Sequence, residues 1–204
     1  EAWHLLGAAR EKAGERAAAI EAYGQAATLD RSGVLGADLD LARLGERVAL
    51  DAAPQAYVAR LFDEYAPRFE RHLRGNLAYR GPEILFEAAI RACGRLPRPV
   101  RFARVLDLGC GTGLAGEVFR PHCAELAGVD LSARMIEAAR RKHLYDRLTV
   151  GGLEDALRRE AAGSLDLALA ADVFIYLGEL GPVFAEAARE LGRDGLFAFT
   201  VQSQ

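Results

Sequence analysis

Between residues 104 and 201, short apolar runs alternate with stretches of helical spacing, and this alternation constrains the fold more than any other feature. The runs are 104–108, 126–129, 148–150, 166–170 and 196–201; the helical stretches between them are 114–119, 132–142, 153–160 and 180–191. Short strands that alternate with helices mark a parallel sheet, because each intervening helix supplies the crossover such a sheet needs. The predicted class is therefore α/β, with a doubly wound, mostly parallel open sheet. Ligands on such sheets sit outside the carboxyl ends of the strands, where the strand order reverses.

The chain ahead of this region reads as helical throughout. Leu5, Ala9 and Ala13, then Ala18, Ala19, Ala22, Tyr23 and Ala26, predict two helices with a break at Gly14-Glu15. Leu35, Leu39, Leu41, Leu44, Val48 and Leu50 predict a third over 35–50. Ala53-Pro54 reads as a boundary. Beyond it, Val58, Leu61, Phe62, Tyr65 and Phe69, then Ile84, Leu85, Ala88 and Ala89, predict two more amphipathic helices, the second starting near Gly81-Pro82. A basic, proline-containing link covers 95–104. The expected division is a helical module over 1–52 and a second domain over 53–204, in which 53–102 forms helices and linker ahead of a 103–204 core.

Composition narrows the function classes. With 26 Lys and Arg against 29 Asp and Glu the net charge is −3, so no bulk field draws the chain to nucleic acid or an anionic membrane. No apolar run approaches membrane-spanning length, and the first residues lack a signal peptide's layout. Cys93, Cys110 and Cys123 form no C-x-x-C pair, which points to a reducing, cytoplasmic compartment. His4, His72, His122 and His143 show no i, i+4 pairing, so no metal site is expected. The first residue is not Met, so the natural start is expected upstream.

The segment Val105-Leu106-Asp107-Leu108-Gly109-Cys110-Gly111-Thr112-Gly113 leaves a strand and opens a helix. Glycines there let the backbone turn sharply and let a ligand approach without Cβ interference. Gly111-x-Gly113-x-x-Gly116, with Asp130 about 20 residues on, satisfies the dinucleotide pattern. The competing ligand is S-adenosylmethionine, a nucleoside without phosphates. Asp107 favours the second: its carboxylate would repel a pyrophosphate but suits a ligand carrying ammonium and sulfonium charges. Asp130 then serves the ribose hydroxyls as a two-oxygen acceptor.

Residues 105–113, Gly128-Val129-Asp130-Leu131-Ser132 and Met135-Ile136-Glu137-Ala138-Ala139-Arg140 together resemble the first motifs of class I S-adenosylmethionine-dependent methyltransferases. The resemblance implies a Rossmann-like sheet, with Asp107 near the methionine end and the backbone of Gly109, Cys110, Gly111 and Gly113 beneath the ligand. It implies Asp130 on the ribose, and Leu131 and Met135 against the adenine, although Met135 also reads as ordinary packing of a helix on the sheet. S-adenosylhomocysteine would be the product. There is one departure: where the family often places an acid directly after the third strand, Val150 is followed by Gly151-Gly152-Leu153. Gly152 and Leu153 are the expected backbone contacts there; Glu154 and Asp155 read as first-turn acids of a helix. Ala171 and Asp172 fall where the family lines the methyl-donor pocket, and Asp172 reads as either orienting an acceptor or capping a helix. In related enzymes the preceding helices lie over the cofactor as a lid, which makes Tyr65 and Tyr79 further candidates to reach donor or acceptor.

Trp3-x-x-Leu6-Gly7, Ala19-x-x-x-Tyr23 and Ala26 resemble a tetratricopeptide (TPR) repeat, with Arg10 and Arg31 replacing the usual Tyr and Pro. Such repeats bind peptides or proteins, so the resemblance implies a possible protein partner through a TPR-like helical module. The expected activity is methyl transfer from S-adenosylmethionine to an acceptor the sequence does not identify. The rivals are an NAD-dependent oxidoreductase and a non-enzymatic, partner-binding adaptor. A class I sheet ordinarily continues beyond a fifth strand with a helix and an antiparallel hairpin, so the last strands are expected to lie in a further segment after Gln204.

Overall fold

The computed structural model describes residues 1–47, 52–95 and 100–201. It resolves into two compact units, Glu1–Leu61 with Tyr176–Gly178, and Phe62–Ile175 with Glu179–Gln204.

In the first unit, α1 (Ala2–Lys12) and α2 (Arg16–Leu29) form a hairpin, followed by α3 (Ala37–Arg43). The hairpin closes on Gly14 at φ +80°, where the N–H groups of Gly14 and Glu15 bond the carbonyls of Glu11 and Arg10. This is the Schellman arrangement, which a left-handed glycine permits. Ala19, Ala22, Tyr23 and Ala26 form the buried stripe of α2. Gly7 allows the close approach of α1: a Cβ there would lie 2.7 Å from the Tyr23 ring. The Tyr23 hydroxyl donates to Glu11 (2.9 Å), and Arg43 donates to both oxygens of that carboxylate (2.6 and 2.8 Å). The Arg43 fork and the Tyr23 hydroxyl hold the Glu11 carboxyl down to about 2.

The third helix is shorter than the predicted 35–50. Gly45, at φ +75°, donates to Ala42 while Glu46 donates to Leu41, a second Schellman stop that the helical spacing runs across. Val48 and Leu50 lie outside the described residues, as do residues 96–99 of the expected linker.

Next come α4 (Gln55–Tyr65), the single turn α5 (Phe69–Arg71) and α6 (Gly81–Cys93), with Pro82 in the first turn of α6. The sheet consists of β1 (Phe102–Leu108), β2 (Cys123–Asp130), β3 (Arg147–Val150), β4 (Leu165–Ala170) and β5 (Leu191–Phe199). Its order is β3-β2-β1-β4-β5, and each pairing is parallel. Crossovers run through α7 (Leu114–Phe119), α8 (Ala133–Arg141), α9 (Leu153–Arg158) and α10 (Gly181–Glu190). The order reverses between β1 and β4, which places the switch point at the end of β1. Asp107 there sits level with Gly128 of β2 and Leu169 of β4.

Leu85, Ala89 and Cys93 of α6 join Phe102, Val105, Phe119, Leu126, Leu167 and Leu169 in one core. Phe102, Phe119, Leu126 and Leu167 are fully buried, each contributing about 1.5–3 kcal/mol by removing apolar surface from water. The last strand begins five residues before the predicted 196. Leu165 pairs with Leu191 and Leu167 with Leu196, so Gly192-Arg193-Asp194-Gly195 bulges out of register, with Asp194 at φ +63°.

Candidate active site

The glycine loop leaves β1 with three left-handed residues, Gly109 (φ +69°), Gly111 (φ +53°) and Gly113 (φ +89°). Each conformation is costly for a residue with a Cβ. The loop is tied down by Cys110 N–H to the Val129 carbonyl (2.9 Å) and Gly113 N–H to the Cys110 carbonyl (2.8 Å). The space around it is occupied by specific side chains. A Cβ on Gly109 would meet Val173 at 2.5 Å, and one on Gly111 would meet the Phe69 ring at 3.7 Å. The buried hydroxyl of Thr112 has no hydrogen-bond partner.

Asp107 lies under this loop, 1% exposed, and accepts a 2.6 Å hydrogen bond from the Tyr145 hydroxyl. Burial pushes its carboxyl up to about 7, the Tyr145 bond opposes that rise, and the charge of Asp130 adds to it.

Asp130, at the end of β2, accepts from Gly111 N–H (2.9 Å) on one oxygen and from Ser132 N–H (2.8 Å) on the other. Burial raises its pKa and the two backbone bonds lower it. Each oxygen keeps a lone pair for a further donor. Ser132 caps α8 by accepting from Met135 N–H (3.1 Å), and its own hydroxyl donates to Asp63 of α4 (2.6 Å). Asp63 also accepts from Arg134 N–H (3.0 Å). Leu131 is half-buried, and Met135 is fully buried in α8.

After β3, Gly151 N–H bonds the Asp130 carbonyl (2.9 Å) and Gly152 precedes the first residue of α9. Leu153 is buried. Glu154 and Asp155 occupy the first turn of α9 and pair with Arg158 (2.8 and 3.2 Å), a helix-start arrangement.

At the end of β4, Ala171 is half-buried and Asp172 adopts φ +55°. The Asp172 N–H donates to the Thr200 oxygen (2.7 Å), and the Thr200 hydroxyl donates to the Asp172 carboxylate (2.8 Å). Tyr79 also hydrogen-bonds the Asp172 carboxylate; burial first, and this bond second, push the phenol well above its ordinary pKa. Tyr65 contacts His72 and lies edge-on to Phe69 at 5.3 Å between centroids.

The fold thus gathers Asp107, the glycine loop and Asp130 at the switch point, with Tyr79 close enough to Asp107 to sense its charge. Sequence reasoning left Tyr145, Thr200, Phe69 and Asp63 without a role at the site. Glycine spacing signals that something must approach, but not which side chain does so. Among the described residues no group of three or more His, Cys, Asp or Glu side chains is placed to hold a metal ion. No helix among them is long and apolar enough to cross a membrane.

The geometry suits S-adenosylmethionine better than a dinucleotide. Two carboxylates flank the loop, which favours a cationic ligand and opposes a pyrophosphate. Comparison with known proteins agrees. Residues 106–199 match the family described as "Methyltransferase domain". The chain is 33% identical over 135 residues to human methyltransferase-like protein 27, covering 66% of this chain and 54% of that protein. It is 32% identical over 143 residues to the malonyl-[acyl-carrier protein] O-methyltransferase of Enterobacter lignolyticus, covering 70% and 52%. The chain therefore spans about half the length of these relatives. A TehB-like SAM-dependent methyltransferase from Corynebacterium glutamicum superposes with a TM-score of 0.51 at 27% identity, covering 68% of this chain and 71% of that one.

Proposed function

We propose, with residues 106–199 being a class I S-adenosylmethionine-dependent methyltransferase domain, that this chain transfers a methyl group from S-adenosylmethionine to an acceptor held at the ends of β4 and β5. The observation that carries this reading is the pair of carboxylates, Asp107 and Asp130, flanking a loop of left-handed glycines at the switch point.

Bound S-adenosylmethionine supplies an electrophilic methyl group and leaves as S-adenosylhomocysteine. The chain's part is to hold and align. Asp130 presents one free lone pair on each oxygen to the ribose hydroxyls, its orientation set by Gly111 and Ser132 N–H. Asp107 contributes negative charge beneath the methionine end; in so buried a setting a carboxylate attracts a cation over several ångströms. The unpartnered Thr112 hydroxyl is a donor suited to the methionine carboxylate. Leu131 and the Gly152-Leu153 backbone flank the adenine side. On the acceptor side, the Tyr79–Asp172–Thr200 cluster orients the nucleophile, next to Ala171. Alignment accounts for most of the acceleration in such a transfer, so a dedicated base is not required.

The helical hairpin of the first unit is read as a TPR-like module that binds a protein segment, supported by the close approach of Gly7 to Tyr23. A cytoplasmic setting is supported by three free, buried cysteines.

Calorimetry with S-adenosylmethionine, S-adenosylhomocysteine and NAD tests the reading. Both sulfur compounds bind and NAD does not; binding of NAD alone overturns it. Methyl transfer from labelled donor into a cell extract separates an enzyme from a cofactor-binding adaptor.

A further inference from the structure

Tyr145 lies in the segment between α8 and β3, 38 residues from Asp107, yet its ring fills the space left by three glycines. A Cβ would come within 3.0 Å of that ring at Gly113, 2.7 Å at Gly116 and 2.9 Å at Gly128. Those glycines belong to the loop, α7 and β2, and no local turn accounts for all three. Gly116 lies inside a helix and Gly128 inside a strand, where glycine costs stability. The feature they share is room for one phenol ring, so part of the glycine pattern accommodates Tyr145 rather than a ligand. The ring delivers its hydroxyl to Asp107 at 2.6 Å.

We infer that Tyr145 is a positioning residue for the methionine end of the cofactor, acting through Asp107. The inference rests on the methyltransferase reading above. A phenol donating to a carboxylate fixes the carboxylate's rotamer and favours its charged form. Asp107 needs that support, because among the described residues the other ionisable groups that interact with it are the Cys110 thiol, the Asp130 carboxylate and the Tyr79 phenol, none of them cationic. With the Tyr145 donor removed, burial and Asp130 leave the carboxyl protonated to higher pH. A neutral Asp107 loses its attraction for an ammonium group and keeps its shape.

Tyr145→Phe preserves the ring and deletes only the donor. Calorimetry compares S-adenosylhomocysteine, which carries the amino-acid end, with 5′-methylthioadenosine, which lacks it, from pH 6 to 8. Tyr145→Phe should bind S-adenosylhomocysteine about tenfold more weakly at neutral pH, the scale of a hydrogen bond to a charged group. It should bind 5′-methylthioadenosine as wild type does. The pH below which S-adenosylhomocysteine affinity falls should move upward relative to wild type; the ligand's own titration is common to both proteins and cancels. Equal affinities for S-adenosylhomocysteine, or an equal loss for both ligands, overturns the inference. A wild-type protein that binds neither S-adenosylmethionine nor S-adenosylhomocysteine overturns the methyltransferase reading itself, a result distinguishable from failure of Tyr145 alone. Should Tyr145→Phe not fold, the wild-type protein with 13C-labelled tyrosine decides. The Tyr145 Cζ resonance should differ at neutral pH between the wild-type protein and Asp107→Asn, which replaces the acceptor's charge, and a resonance the same in both overturns the assignment.

Discussion

Asp63, near the end of α4, accepts hydrogen bonds from the Ser132 hydroxyl at 2.6 Å and from Arg134 N–H at 3.0 Å, and so caps a helix 69 residues further along the chain. The residue it supports, Ser132, in turn donates its N–H to Asp130. One carboxylate ahead of the sheet thereby steadies another at the site.

Asp63→Ala should destabilise the protein by about 0.5–2 kcal/mol, the usual range for loss of a helix cap. Asp63→Asn, which keeps an acceptor oxygen, should recover most of that. Urea denaturation gives the stabilities. Calorimetry should also show a several-fold loss of S-adenosylmethionine affinity in the Ala variant, because Ser132 is freed to move away from Asp130.

Gly109 makes a second prediction, on backbone grounds. Its φ of +69° and the 2.5 Å approach of Val173 to a would-be Cβ are separate penalties. Gly109→Ala should cost about 2–4 kcal/mol, combining left-handed strain with overpacking. Adding Val173→Ala should relieve the overpacking and leave the strain. A double variant no more stable than Gly109→Ala shows that Val173 is not what excludes the Cβ.

The sheet was legible because short apolar runs alternate with helical stretches, most clearly at the largely buried β1, β2 and β4, and the placement of Asp107, Gly109 and Asp130 was legible because strand ends and turns constrain residue type locally. What failed was of two kinds. Gly45 stops α3 although Leu44 and Val48 keep the helical period, and β5 starts five residues before the expected 196, carrying Gly192-Arg193-Asp194-Gly195 as a bulge. In both, a single backbone conformation overrides a periodic pattern. Tyr145 and Asp63 failed differently. Each acts on a residue tens of positions away, and the spacing of its own neighbours carries no trace of that partner.

The pH dependence of stability follows from two carboxyls shifted in opposite directions. Asp107 is raised by burial from 3.8 to about 7, so between those values the folded state holds a proton that the unfolded chain has released. Stability contributed by the protonated form is present below 3.8 and is lost as pH rises through 7, with a slope on the order of 1 kcal/mol per pH unit. Asp107→Asn should flatten that slope in urea denaturation between pH 5 and 8. Glu11 is lowered from 4.5 to about 2 by Arg43 and Tyr23, so its contribution is present above 4.5 and lost as pH falls through 2. Glu11→Gln should remove part of the acid loss and leave the pH 5–8 window untouched. A Glu11→Gln profile that changes between pH 5 and 8 contradicts the assignment.

Asp172 combines backbone strain with a side chain hydrogen-bonded to Thr200 and Tyr79. At φ +55° a non-glycine residue carries about 1–2 kcal/mol of strain. Its N–H and carboxylate are both spent on Thr200, with Tyr79 on the carboxylate as well. Asp172→Gly relieves the strain while deleting hydrogen bonds from a solvent-exposed group, which are worth about 0.5–1.5 kcal/mol each. The two effects offset, so global stability should change by less than about 1 kcal/mol. S-adenosylhomocysteine affinity should stay near the wild-type value, because the proposed role of Asp172 is to orient the acceptor rather than to hold the cofactor. Methyl transfer to acceptors in cell extract should fall at least tenfold, since strain held at a functional position is retained for what the side chain does there. Denaturation, calorimetry and labelled-methyl incorporation on one preparation report all three. Undiminished transfer would make the Tyr79–Asp172–Thr200 cluster a structural clasp and move acceptor orientation elsewhere in the pocket.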